Sequence, residues 1–366
     1  MADLKVGLIG VGTVCGQVHW PGLSRIPGVE VAALCDPDPE LLARRGQQWG
    51  VARQFTDAAQ MLATEELDAV TVATPNREHP VLVSAALAAG CHVLCEKPLG
   101  LDSGVAEAMY REAAASGLCH MTAFTYRFVP AMRYLQHLVQ RGDLGVPRHA
   151  RFQRLQDWGE GPIGWRQYRD RAGTGELGDM GIHRIDLAEG LLGSISQVTS
   201  SMRQVVPRDR TAEGEACPAQ DVEDWVAWIA ETGSGATAVF EMGKLTKGRG
   251  PAGDHDLAEI NGSEASAAYQ LHTPHQILFG RRGEPYEVRE VPDEFLRLQG
   301  SPRDPSEGEP TTTFRYDQAW EFVRAIREQR PCCPSFYEGW RAQTVADAIV
   351  TAARARTWVE VPECPE

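Results

Sequence analysis

The sequence predicts an α/β protein of two domains, with a doubly wound parallel sheet over residues 1–124 and an α+β domain on a large, mostly antiparallel sheet over residues 125–366. Three observations predict it. In the first third of the chain, short runs of β-forming residues alternate with helical patterns, which is the signature of βαβ units. The first of these runs leads directly into the glycine-rich turn Gly10-Val11-Gly12-Thr13-Val14-Cys15-Gly16. Beyond Phe124, strand-like runs follow one another with few helices between them, the order of an antiparallel sheet.

Lys5–Ile9 is the first strand, and the turn after it resembles a dinucleotide fingerprint. Gly10 permits the tight turn and Gly12 lets the backbone approach a pyrophosphate. Thr13 and Val14 then open the helix on whose N-terminus that anion sits. Cys15 departs from the usual Gly or Ala at the third position but is small enough for close packing. The second strand, Glu30–Cys35, ends at Asp36. A carboxylate there accepts bonds from the adenosine ribose hydroxyls and repels a 2′-phosphate, which predicts NAD over NADP. Asp38 is placed to cap the next helix.

A short strand at Arg53–Phe55, a helix opened by Asp57 and the strand Ala69–Ala73 come next. The turn Thr74-Pro75-Asn76-Arg77-Glu78-His79-Pro80 follows, made rigid by its prolines at what would be the cofactor edge. His79, at the start of an alanine-rich helix closed by Gly90, reads by itself as a capping or packing residue. The apolar run Cys91–Cys95 then delivers Glu96-Lys97-Pro98. Ligands of open α/β sheets lie beyond the carboxyl ends of the strands, so Lys97 is the candidate chemical centre. The helix Asp102–Ser116 and the strand Leu118–Phe124 complete a six-stranded unit.

In the second domain a helix spans Ala131–Gln140, and strand-like runs cover Arg148–Gln156, Gln197–Val206, Asp224–Glu231, Ala236–Met242, Asp256–Ile260, Ala265–Leu271 and Gln276–Gly280. Trp225, Trp228 and Phe240 fit a buried sheet face. The segment Gly173 to Asp186 reads as a helix beginning at Asp179. Asp179, His183 and Asp186 then share one face, while Ile182, Ile185 and Leu187 turn to a core. That triad could hold a metal, but no further ligand cluster joins it, and no metal is expected. Arg166, Arg169 and Arg171 read as salt-bridged surface. Pro207–Gln220, Gly243–Asp254 and Pro292–Thr311 read as loops, and Tyr316–Gln329 and Tyr337–Thr357 as the closing helices.

Composition narrows the partners. Lys and Arg number 36 against 50 Asp and Glu, a formal charge of −14, which disfavours nucleic acid and anionic lipid. The chain shows no leader-like start and no apolar run of membrane-spanning length, so the expected location is cytoplasmic. Nine scattered cysteines read as free thiols, most of them buried.

Gly10-x-Gly12, Asp36, Thr74-Pro75-Asn76-x-x-His79, Cys95-Glu96-Lys97-Pro98 and Asp179-x-Gly181-x-His183-x-x-Asp186, in that order, resemble the Gfo/Idh/MocA oxidoreductases, the glucose–fructose oxidoreductase and inositol dehydrogenase family. The resemblance covers nearly the whole chain. It implies a Rossmann domain followed by a substrate-binding and oligomerisation domain. A catalytic Lys97, a commonly cis peptide to Pro98, and Asp179 and His183 lining the substrate pocket are implied too. On this reading the cofactor set is Gly10, Gly12, Thr13, Val14, Asp36, Thr74, Pro75, Asn76, His79, Glu96, Lys97, Arg127, Trp165 and Arg166. The substrate set is Lys97, Tyr126, Asp179 and His183, and the catalytic set is Lys97, Asp179 and His183. The implied activity is NAD-dependent hydride transfer to or from a secondary alcohol of a sugar, polyol or inositol, in a homodimer or homotetramer joined through the second domain's sheet. Two alternatives remain at this stage: an NAD-dependent glycoside-cleaving enzyme that oxidises a ring hydroxyl transiently, and a non-catalytic dinucleotide sensor.

Overall fold

The computed structural model describes residues 4–250, 253 and 255–365. The first half of the chain runs β1 (Leu4–Ile9), α1 (Trp20–Leu23), β2 (Val29–Cys35), α2 (Pro39–Trp49), β3 (Arg53–Phe55), α3 (Ala58–Thr64), β4 (Ala69–Val72), α4 (His79–Ala88), β5 (His92–Cys95), α5 (Ser103–Ser116) and β6 (His120–Thr122). Then come α6 (Pro130–Gln140), β7 (Pro147–Leu155), α7 (Arg169–Ala172), α8 (Ile182–Leu192), β8 (Ile195–Arg203), β9 (Trp225–Thr232), β10 (Thr237–Gly243), β11 (His255–Gly262), β12 (Ala265–Gln270), β13 (Gln276–Arg281) and β14 (Glu287–Glu290). The chain closes with α9 (Asp293–Leu296), α10 (Pro310–Thr313), α11 (Tyr316–Glu328), α12 (Phe336–Ala355) and β15 (Val359–Glu360).

Two compact units result, and neither is one continuous stretch. The first holds residues 1–100, 104–128 and 297–340, and the second holds 101–103, 129–296 and 341–366. This differs from the single boundary at 124 read from the sequence: α11 returns to the first unit, where Gly22 admits Ala319 so closely that an added Cβ would stand 3.0 Å from it. Hydrophobic pattern identifies α11 as an amphipathic helix but not the domain that it covers.

Among the described residues the first unit's strands form one parallel sheet in the order β3-β2-β1-β4-β5-β6. The order reverses between β1 and β4, which opens a crevice at their carboxyl ends. Strands buried on both faces read as continuous apolar runs; Val70, Val72, Val93, Leu94 and Cys95 have no exposed surface. Asp38 caps α2 and Asp57 caps α3, each accepting two backbone N–H groups of the first turn.

The second unit's sheet runs β14-β13-β12-β11-β7-β10-β9-β8-β15. It is antiparallel except for β7 beside β10. β14 and β15 escaped the sequence reading because four exposed or half-buried residues and two residues, respectively, leave almost no periodic signal. The sequence also placed three aromatics on one face. Trp228 stacks on Phe240 at 4.4 Å, and Phe240 on Phe152 at 4.9 Å. Trp225 stands three residues from Trp228 and turns to the other face, where its Nε1 donates to Glu241 Oε1 at 3.1 Å.

Candidate active site

In the first unit, the crevice between β1 and β4 is shaped by glycine. Gly10 has φ +84°, and a Cβ there would stand 2.6 Å from the Ala73 carbonyl oxygen. A Cβ on Gly12 would meet nothing within 4 Å, so open space lies over the second fingerprint glycine. Asp36, at the end of β2, accepts from Val11 N at 2.9 Å and from Asp38 N at 3.0 Å. A cradle free of side chains, a helical segment opening at Thr13 and a carboxylate at the second strand end together fit a dinucleotide.

That helical segment is not regular. Residues Cys15–His19 form a π turn in which Trp20 N–H reaches back to Cys15 O, and Pro21 has no N–H to continue the ordinary ladder. The wide turn buries Val18 and His19 together. His19 Nε2 lies 2.9 Å from Glu96 Oε1, and Glu96 Oε2 accepts from Lys97 N at 3.2 Å. Burial pushes the Glu96 carboxyl up. The hydrogen bond and charge of His19, then the charge and N–H of Lys97, outweigh it and hold Glu96 below the usual carboxylate range.

Lys97 itself is half-buried at the carboxyl end of β5, and its peptide to Pro98 is cis. On the sheet, β4 separates β5 from the fingerprint strand β1. Two steps of roughly 4.8 Å set the strand ends about 10 Å apart, within the length of a dinucleotide. Thr74 and Pro75 are half-buried and Asn76 is buried on the turn after β4. His79 lies beneath that turn, fully buried, with Nδ1 3.0 Å from Pro98 O and Nε2 3.1 Å from Thr74 O. Two carbonyls favour a doubly protonated ring, but burial outweighs them and lowers its pKa. His79 therefore ties the turn to the Lys97-Pro98 segment.

Of the first unit's remaining candidates, Tyr126 is buried against Phe314 at 5.9 Å with the Arg315 guanidinium 5.5 Å over its ring. Arg127 reaches Glu338 Oε1 at 3.9 Å and Cys333 Sγ at 3.4 Å.

The second unit carries the other motif. Leu177–Gly181 is a π turn running into α8, so Asp179 sits inside that turn rather than at a helix start. Glu223 holds the turn in place: its Oε1 accepts from Gly175 N at 2.9 Å and from Leu177 N at 3.0 Å. A Cβ on Gly175 would stand 2.0 Å from Glu223 O, so only glycine permits this approach. Asp179 pairs with Arg166, Nε to Oδ1 at 3.8 Å, and the Arg166 guanidinium lies 4.4 Å over the Trp165 ring. The residues alone put Arg166 in a surface cluster and the family resemblance put it with the cofactor; the structure pairs it with Asp179. His183 is buried on the first turn of α8, as is Asp186 on the next.

Sequence reasoning missed three groups here. Arg184 is buried and bonded to Asp256, with Arg154 Nη1 at 3.4 Å from the same carboxylate. Lys244 Nζ lies 3.6 Å from Asp224 Oδ1 and 4.0 Å from Glu176 Oε1. Arg208, in the loop after β8, donates to Asp224 at 2.8 Å. Lys244, just after the apolar run Ala236–Met242, carried a local signal; Arg208, in a charge-rich loop, carried none. Among the described residues no group of three His, Cys, Asp or Glu side chains is placed to hold a metal ion, and no helix is long and apolar enough to cross a membrane.

The profile described as "Oxidoreductase family, NAD-binding Rossmann fold" matches residues 4–124, and that of the GFO/IDH/MocA C-terminal domain matches 132–268. The chain belongs to the Gfo/Idh/MocA oxidoreductase family. It is 30% identical over 407 residues to a levoglucosan dehydrogenase of Pseudarthrobacter phenanthrenivorans, covering 99% of each chain. A D-apiose dehydrogenase of Paraburkholderia graminis is 30% identical over 273 residues, 73% of this chain and 68% of that one. A solved levoglucosan dehydrogenase in complex with NADH and L-sorbose superimposes with a TM-score of 0.91 at 28% identity over the full length of both chains. Family and fold make this chain an NAD-dependent oxidoreductase.

Proposed function

We propose that the chain oxidises a secondary alcohol of a sugar, polyol or inositol, with Lys97 and His183 as its acid–base groups and Asp179 as the acceptor that orients substrate hydroxyls. The observation that carries this reading is Lys97 at the end of β5, one strand removed from the crevice strand that bears the fingerprint. When bound, NAD supplies the hydride acceptor. Gly10, Gly12, Thr13 and Val14 hold its pyrophosphate, Asp36 its adenosine ribose, and the Thr74–Asn76 turn borders it. An alcohol that loses hydride must also lose its hydroxyl proton, and an amine or imidazole takes it where burial and neighbouring charge favour the neutral base. Arg166 stacked on Trp165 steadies the Asp179 carboxylate, which keeps that carboxylate an acceptor for hydroxyls.

The same reading places the enzyme in the cytoplasm and makes it a homodimer or homotetramer through the second unit's sheet. Val239 of β10 pairs in register with Ile229 of β9, and both are exposed, an apolar strip in the middle of a sheet face. Light scattering on Val239→Lys tests it; an unchanged oligomer removes this face from the assembly.

The deciding experiment is a panel of monosaccharides, anhydrosugars, inositols and glycosides with NAD and NADP, followed by nicotinamide absorbance. Reduction of NAD by at least one cyclic polyol is expected. Measurable NAD binding with no reduction across the panel overturns the reading in favour of a sensor.

A further inference from the structure

His19 is 1% exposed, and its Nε2 meets Glu96 at 2.9 Å, while its buried Nδ1 has no hydrogen-bond partner among the described residues. A carboxylate accepts and does not donate, so Nε2 is the donor. The contact is directed at the residue next to Lys97, although the apolar strand before it, Val93 to Cys95, is fully buried and available for packing. Replacing a buried ion pair by packed apolar groups is often neutral or stabilising, so joining the π turn to β5 does not by itself call for this pair. What the pair adds is orientation and charge. Glu96 accepts the Lys97 N–H and sets a carboxylate beside the Lys97 side chain.

We infer that His19 is a positioning residue for Lys97, acting through Glu96 to fix the peptide from which the lysine springs and the negative charge beside its amine. The π turn that carries His19 begins directly after the fingerprint, so the segment that holds the cofactor also holds the lysine in place. The inference rests on the reading of Lys97 as a proton-transfer group.

Gln retains a donor where Nε2 stood and Asn does not, which makes His19→Gln and His19→Asn the informative pair. On the best panel substrate, His19→Asn should lower kcat by less than the about 10²- to 10⁴-fold that loss of the acid–base group itself costs. NAD affinity should hold, the pH profile should change and His19→Gln should recover most of the loss. A second readout needs no substrate. Lysine occurs only at positions 5, 97, 244 and 247, so trinitrobenzenesulfonate labelling followed by peptide mass spectrometry reports Lys97 directly against Lys5 as a function of pH. That pH dependence should shift in His19→Asn and not in His19→Gln. Glu96→Gln, which keeps the shape and removes the charge, should reproduce the shift and decides the matter if His19→Asn does not fold. Equal kcat and equal labelling in Gln and Asn variants, or a loss that tracks melting temperature alone, overturns the inference. If Lys97→Met turns over like wild type, the functional reading fails instead, and the labelling still reports whether His19 governs Lys97.

Discussion

The Val11 N–H donates to Asp36 Oδ2 across 2.9 Å, joining the middle of the glycine turn to the acid at the end of β2. The bond ties the proposed pyrophosphate cradle to the proposed ribose acceptor. Replacing Asp36 by Ser removes the charge that repels a 2′-phosphate and shortens the acceptor, so kcat/KM with NAD should fall and discrimination against NADP should relax. Steady-state kinetics with both cofactors check this. Higher kcat/KM with NADP than with NAD in the wild-type enzyme would remove Asp36 from its role.

Gly12→Val separates binding from folding. An added Cβ at Gly12 meets no protein atom within 4 Å, so the fold has room for it. The branched side chain occupies the space where a pyrophosphate approaches. NADH fluorescence titration should show affinity lost, with the thermal midpoint kept near that of wild type. Unchanged affinity in the folded variant would contradict the fingerprint assignment.

The acid limb of the stability curve should carry a contribution from Glu96. Folding lowers the proton affinity of this carboxyl relative to its ordinary value of 4.5, so the unfolded chain binds the extra proton. Stability from the group is therefore fully present above about pH 4.5 and is lost as pH falls through the folded-state value. Glu96→Gln does not titrate. The gap in melting temperature between wild type and variant should stay constant from pH 7 to 5 and change in favour of the variant below that. A constant gap throughout would show that Glu96 has the same proton affinity in both states.

How much of this was legible in sequence follows from what each signal encodes. The parallel sheet was visible because strands buried on both faces, such as Val93 to Cys95, read as unbroken apolar runs. Lys97 was visible because a lysine that ends such a run stands out. His19 falls with Cys15 and Val18 on one helical face, at i, i+3 and i+4, but a period marks a buried position and not its partner, and Glu96 lies 77 positions further along. Asp179 was legible as a candidate, but its support was not, since Glu223 lies 44 positions further along, in a segment whose own pattern is that of a loop leading into a strand. The Arg184–Asp256 pair failed for the same reason, because partners distant in sequence leave no local period. The return of α11 to the first unit is a fact of topology, and amphipathic pattern is silent on topology.

Lys97 and His183 are the two acid–base groups proposed for the reaction. Lys97→Ala should bind NAD almost normally and lose turnover by about 10²- to 10⁴-fold, the range over which a positioned acid or base contributes. His183→Ala should behave alike. Groups that act as a unit are not additive, because once one half of a relay is gone the other has nothing to work with. The double variant should therefore be little worse than the poorer single one. The pH profile of kcat should flatten in whichever single variant removes the titrating base, which assigns the proton to one residue or the other. Losses that multiply in the double variant would show two independent contributions, and a Lys97→Ala enzyme within a few-fold of wild type on its best substrate would return Lys97 to the role of a loop residue.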